Sequence, residues 1–128
     1  MTVGLVDTTV IIHSFHKNPA AQAWVDTQAT RLSITPITWL EVMYGAGSKV
    51  KQAACKAILD RFEMIYLTQA DQMWAMGHLA RYRLSHGIGM NDCLIAAVAH
   101  RLQVPLYTHN LKDMTPLVGS LAIKPYRS

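Results

Sequence analysis

Cysteine is nearly absent: Cys55 and Cys93 are the only two in 128 residues, and neither belongs to a close pair with metal-ligand spacing. A disulfide framework is thereby excluded, and both residues read as reduced, buried thiols. No apolar run approaches the roughly 18 residues that a membrane helix needs. The opening MTVGLVDTT has no basic stretch followed by a long apolar one, so the expectation is a cytoplasmic protein without membrane association. Acidic residues are also scarce, eight Asp and Glu against twelve Lys and Arg, for a formal net charge of +4 and a pI near 9.3. An excess of that sign attracts phosphate polymers or an acidic partner. Repeats, low-complexity tracts and linkers are missing as well. With 51% hydrophobic residues left to form a core, one domain over residues 1–128 is the simplest organisation.

What is present alternates between strand and helix signals. VGLV, residues 3 to 6, is a short apolar run, and DTTVIIHSF after it places Val10, Ile11 and Phe15 in a helix with Thr8 or Thr9 as its expected cap. Asn18-Pro19 starts a second helix, LSIT at 32 to 35 reads as a strand, and Pro36 opens ITWLEVMYGAG, a helix weakened by Gly45 and Gly47. A helical pattern runs from Ser48 to Glu63, with Ala54, Ile58, Leu59 and Phe62 on one face. MIYLT follows as a strand, and Thr68 with Asp71 forms a capping box for a long helix ending near Gly87. After the stretch HGIGMNDCLIAAVAHRL come the strand VPLYT, a loop or turn NLKDMTP, and an edge strand LAIKPY. Met43, Met73, Met76 and Met90 are expected core filler. This alternation predicts an α/β fold with a mostly parallel central sheet flanked by helices, whose functional groups gather beyond the carboxyl ends of the strands.

Eight acids are few enough to take singly. Asp26, Asp60 and Glu63 fall on polar helix faces and Asp71 on a cap, which leaves Asp7, Glu41, Asp92 and Asp113. Asp7 ends the first strand, where it either caps the next helix or projects into a site at the sheet edge. Glu41 is flanked by Trp39, Leu40, Val42 and Met43 in a helix expected to be mostly buried. A carboxylate there must be paired, neutralised or metal-bound, unless it reaches solvent or an arginine at the helix boundary. Asp92 opens the apolar segment CLIAAVA, either as a first-turn anion or as part of a wider cluster, with Ala96 and Ala99 allowing close packing beside it. Asp113 sits in the loop after VPLYT. Hard oxygen ligands of this kind could together hold Mg2+ or Mn2+, which would offset their repulsion, acidify a bound water and stabilise charge on phosphate during in-line displacement.

These segments, in this order, resemble the PIN-domain ribonucleases, and especially the VapC-like toxins of bacterial toxin–antitoxin pairs. VDTTVII is similar to the first motif, ITPITWLEVMYGAG to the second, and MNDCLIAAVAHRLQVPLYTHNLKDM to the third and fourth together. The resemblance runs nearly end to end and implies a PIN-like fold. It implies that Asp7, Glu41 and Asp92 are catalytic metal-site acids, with Asp113 the fourth, Asn110 a polar helper, and Thr8 orienting a metal-bound water or a phosphate. Two positions depart from the family pattern: Met114 stands where an aromatic commonly follows the last acid, and His109 where an arginine often sits. His109 is a candidate RNA contact. The resemblance further implies Mg2+- or Mn2+-assisted hydrolysis of RNA leaving a 5′-phosphate and a 3′-hydroxyl, a homodimer, and silencing by a small antitoxin protein whose tail occupies the acidic cleft.

Other chemistries fit less of the chain. His13 and His16 stand three apart on one helix, but no third zinc ligand has suitable spacing. Phosphotransfer through Asp7 as phosphoacceptor, with Thr108 and Lys124 in support, lacks the additional acid that aspartate-nucleophile phosphatases place after the first. A non-catalytic RNA- or protein-binding module of the same fold is the remaining alternative, and the intact acids weigh against it.

Overall fold

Leu5 and Val6 are both fully buried, and they point into different hydrophobic clusters, as successive residues of a strand covered on both faces must. In the computed structural model, which describes residues 2–127, they form β1 (Leu5–Val6), the central strand of a five-stranded, wholly parallel sheet. The other strands are β2 (Ser33–Ile34), β3 (Glu63–Met64), β4 (Leu106–Tyr107) and β5 (Ala122–Ile123), in the spatial order β3-β2-β1-β4-β5. Gly4 is needed where β1 enters: a Cβ there would lie 2.8 Å from Tyr107 Cε2 and 3.0 Å from Leu32 Cδ2.

Between the strands run α1 (Thr8–Phe15), α2 (Pro19–Gln28), α3 (Pro36–Gly45), α4 (Lys49–Leu59), α5 (Gln69–His86), α6 (Met90–Leu102) and α7 (Leu111–Val118). One cluster joins Val6 to Val10, Ile11, Val25, Ile34, Val42 and Leu59, drawn from β1, β2 and α1 to α4. The other joins Leu5 and Leu106 to Ala75, Ile95, Val98, Met114 and Leu117, drawn from α5 to α7. Each fully buried aliphatic side chain contributes roughly 1.5–3 kcal/mol, so the two clusters fix the sheet between its helical layers. Cys93 is 1% exposed and faces the second cluster, as its offset from Asp92 requires.

Several expectations need correction. The residues NLKDMTP are not a loop: α7 spans Leu111–Val118 with Pro116 inside it. Burial of Met114 and Leu117 on one helical face outweighs the amide that Pro116 cannot donate to the Lys112 carbonyl. The helix expected to reach Glu63 stops at Leu59, and Glu63 instead begins β3, since its amide pairs with the Leu32 carbonyl at 3.3 Å. In α4 the inward residues are Cys55 and Leu59, and Ala54 is exposed. The cap of α1 is Asp7, not Thr8 or Thr9. α3 is buried on one side only, with Leu40 57% and Tyr44 94% exposed. Met73, Met76 and Met90 are also exposed rather than core filler, because the apolar face of α5 turns Ala75 inward and leaves both of its methionines outside.

Thr68 and Asp71 form the expected capping box, and Asp71, buried, also accepts from Arg101 Nε at 3.0 Å. This ties α5 to α6. Burial pushes the Asp71 carboxyl up, but the Arg101 guanidinium and the Thr68 amide outweigh it and hold the carboxyl below its ordinary 3.8. A depressed folded-state pKa gives stability that is present above the unfolded value and lost as the pH falls through the folded one. Asp71→Ala should therefore lower unfolding free energy by about 2–4 kcal/mol at neutral pH. In urea titrations the deficit should narrow below about pH 4, where the wild-type carboxylate also takes up a proton.

Candidate active site

A parallel sheet delivers every strand's last residue to one edge, and the register here sets Val6 beside Tyr107. Asp7 and Thr108, one step further, therefore meet. Thr108 Oγ1 donates to Asp7 Oδ2 at 2.7 Å and accepts from Asn110 N at 2.9 Å. Asp7 Oδ1 takes the Thr8 amide at 2.8 Å, and Thr9 Oγ1 donates to Oδ2 at 3.3 Å. Both Asp7 oxygens are thus held, in a residue only 2% exposed. Burial pushes the Asp7 carboxyl above 3.8 and Glu41 adds repulsion, while the three hydrogen bonds pull it back without cancelling the shift.

Glu41 comes from the middle of α3. Thr8 Oγ1 donates to Glu41 Oε1 at 2.6 Å and lies 3.3 Å from Thr38 Oγ1, while Asn91 Nδ2 donates to Glu41 Oε2 at 3.3 Å. Asn91 and Asp92 sit in the first turn of α6, whose cap is Gly89 with no side-chain hydrogen bond. Asp92 is therefore near an uncapped helix start, yet its recorded hydrogen bond is not to its own backbone. Asn110 Nδ2 donates both to Asp92 Oδ2 at 3.3 Å and to Asp113 Oδ2 at 3.1 Å. A Cβ at Gly89 would stand 4.0 Å from Asp92 Oδ2, an ordinary contact, so the helix start lies directly beside this carboxylate.

The four carboxylates expected from the sequence are brought to one neighbourhood, and their charges act on one another. Asp92 is pushed up to about 7, first by burial and then by repulsion from Asp7, Asp113 and Glu41. The ion pairs of the described residues, Lys56–Asp60, Arg61–Asp26 and Arg101–Asp71, all lie elsewhere. Among the described residues no three His, Cys, Asp or Glu side chains already form a group able to hold an ion. Hydroxyls and amides stand between the acids instead. The donor set still fits a hard divalent cation: Mg2+ retains several waters and takes only one or two carboxylates directly, so it does not require an all-protein cage.

Of the other named residues, Thr8 and Asn110 lie within the cluster, each bonded to the acids. His109 donates its amide to Thr9 Oγ1 at 3.1 Å, but its ring packs on His13 at 4.4 Å and under Tyr126 at 4.8 Å. Burial, with the charges of His13 and Lys124, pushes its imidazole below 6.5, so it is neutral at pH 7. His13 turns to this aromatic group and His16 packs beside Phe15, which separates the histidine pair. Sequence reasoning left Thr38 and Asn91 unremarked and gave Thr108 only a minor part in phosphotransfer. The available signal was position: Thr108 ends a strand that neighbours the one ending at Asp7.

Raised and depressed pKa values have opposite consequences for stability. With its folded pKa near 7, Asp92 holds a proton that the unfolded chain has already lost, so metal-free stability falls as the pH rises from about 4 to about 7. Asp92→Asn keeps the shape and removes the charge. In thermal or urea unfolding without metal it should be more stable than wild type at pH 8, by about 1–2 kcal/mol after solvent screening, and the gain should shrink toward pH 5.

Comparison with known proteins adds ancestry to this geometry. A chain of the toxin–antitoxin complex from Klebsiella pneumoniae superposes with a TM-score of 0.78 at 25% identity, covering 98% of this chain and 99% of that one. The VapBC2 structure from Rickettsia felis bound to a DNA fragment from their promoter gives 0.74 at 25% identity, covering 91% and 93%. DNA-bound VapBC from Salmonella typhimurium shares the fold, with a TM-score of 0.74 at 22% identity and coverage of 93% and 95%. No functionally curated protein matches the sequence. The PIN domain profile matches residues 4–112, a span that holds Asp7, Glu41, Asp92 and Asn110 and ends one residue short of Asp113, and the chain belongs to the PIN domain family.

Proposed function

We propose that this protein is a Mg2+- or Mn2+-dependent endoribonuclease acting in the cytoplasm as the toxin of a toxin–antitoxin pair. The observation that carries the nuclease assignment is the unpaired negative cluster: Asp92 is driven to about 7 by burial and then by three neighbouring carboxylates, with no lysine or arginine bonded to any of them among the described residues. Such crowding is costly unless a cation resides there. Asp7, Glu41, Asp92 and Asp113 would hold it, and the ion would acidify a water and offset the charge that builds on a phosphodiester.

The chain's own groups set the orientation. Asp7 is immobilised on both oxygens, Thr8 and Asn91 aim Glu41, and the Asn110 amide keeps Asp92 and Asp113 facing one another. Thr108 couples Asp7 to the segment bearing Asn110. Phosphotransfer asks Asp7 to present a free oxygen to an incoming phosphorus, which a 2% exposed and doubly bonded carboxylate opposes.

The toxin assignment draws support from the structural likeness to a chain of the toxin–antitoxin complex from Klebsiella pneumoniae. In this proposal the protein forms a homodimer and binds a cognate antitoxin. Docking on this side of the molecule is supported by an apolar groove of about 540 Å³ lined by Ile37, Tyr66, Met76, Leu79, Met90 and Leu94, since exposed apolar surface of this kind commonly marks protein contacts.

Purified protein should cut RNA with Mg2+ or Mn2+, leaving 5′-phosphates, and stop when EDTA is added; cleavage indifferent to chelation would contradict the cation. Asp7→Asn and Asp92→Asn should each retain the fold by circular dichroism while kcat falls about 100-fold or more. Thr108→Val removes only the hydroxyl that steadies Asp7, and is expected to weaken activity about 10- to 100-fold.

A further inference from the structure

The three ion-paired cations among the described residues, Lys56, Arg61 and Arg101, are all committed away from the acids, yet one unpaired arginine shares their cleft. Between the end of α5 and the start of α6 lies a cavity of about 550 Å³ lined by Glu41, Asp92, Asn91, Gly89 and Arg83. Arg83 forms no ion pair with either carboxylate. Its Nη1 donates to the Gly87 carbonyl at 3.1 Å and the Ile88 carbonyl at 3.2 Å. Those carbonyls belong to a fixed turn: Gly87 closes α5 in the left-handed region at φ 68, and Ile88 is fully buried. The guanidinium is thus tethered by one nitrogen, while Nε and Nη2 have no recorded partner among the described residues. Arg101 differs, with its Nε spent on Asp71.

A polyanion reaching the acids meets repulsion from Glu41 and Asp92 on one wall, and a phosphate that lies outside the cation's reach needs a positive partner of its own. A tethered guanidinium with free N–H groups matches two oxygens of a phosphodiester, which a single ammonium does not. We infer that Arg83 binds the RNA phosphate adjacent to the scissile one and so sets the strand's register over the carboxylates. This rests on the ribonuclease assignment and extends it to a substrate-binding residue outside the acidic cluster.

The test uses a short RNA whose cleavage position has been mapped. Steady-state kinetics compare wild type with Arg83→Gln and with Arg81→Gln, which removes the same charge from a side chain lying 5.2 Å from the Tyr82 ring centroid. Arg83→Gln should raise KM about tenfold with kcat within about twofold, and Arg81→Gln should leave both within about twofold. A methylphosphonate replacing one of the two flanking phosphates should raise the wild-type KM by a similar factor and add nothing further in Arg83→Gln. An unchanged KM in an active Arg83→Gln enzyme overturns the assignment. So do substrate and protein changes whose effects multiply, and a fall in kcat alone, which would place Arg83 in the turn and not on RNA. A wild-type protein that cleaves no RNA sinks the ribonuclease proposal itself, and the Arg83 assignment falls with it.

Discussion

Burial of Asp92, together with repulsion from the carboxylates of Asp7, Asp113 and Glu41, holds its carboxyl near 7. A fold tolerates such a cluster only if other interactions outweigh it, and here they lie directly behind the acids. α6 carries Cys93, Ile95, Ala96, Ala97, Val98 and Ala99, all buried. Its small residues let the helix pack closely on α5 and α7, and the Asp71–Arg101 pair joins it to α5 at the far end. The acid-bearing end of α6 is thus anchored by its apolar body.

The hydroxyl and amide groups explain how the acids stay in place without cancelling one another. Thr8, Thr35, Thr38 and Thr108 are all buried at the carboxyl edge of the sheet. Neutral donors orient a carboxylate and offset part of its desolvation, but leave the net charge intact. A lysine in the same position would have satisfied the geometry and removed the reason to bind a cation. The chain's positive residues lie outside this cluster, which separates two tasks, attraction of a polyanion at long range and chemistry at short range.

Most of the acid cluster was legible in the sequence because three of its members follow a strand or occupy the first turn of a helix, and a parallel sheet sends such positions to one edge. Asp7, Asp92 and Asp113 follow that rule directly. Glu41 was found differently, as a carboxylate inside an apolar segment. The hydroxyl network was far less visible: Thr108 looks like any β-former at a strand end until the register places it next to Asp7. α7 was missed because Pro116 reads as a breaker, whereas the inward face of Met114 and Leu117 decides the conformation. The exposed methionines show the limit of composition, since an apolar side chain at helical spacing does not reveal whether a neighbour covers it. Arg83 was equally hidden, its role depending on a turn that only the folded chain creates.

The proposed cation site requires these carboxylates to share one electrostatic pocket able to accept a divalent ion. Calorimetric titration with Mn2+ at about pH 6, repeated in buffers of different ionisation enthalpy, tests it most directly. Binding should release about one proton per ion, supplied by Asp92, with the release fading toward pH 8.5 and the affinity falling in Asp92→Asn. Absence of binding, or binding with no proton released and no loss in that variant, would contradict the shared pocket.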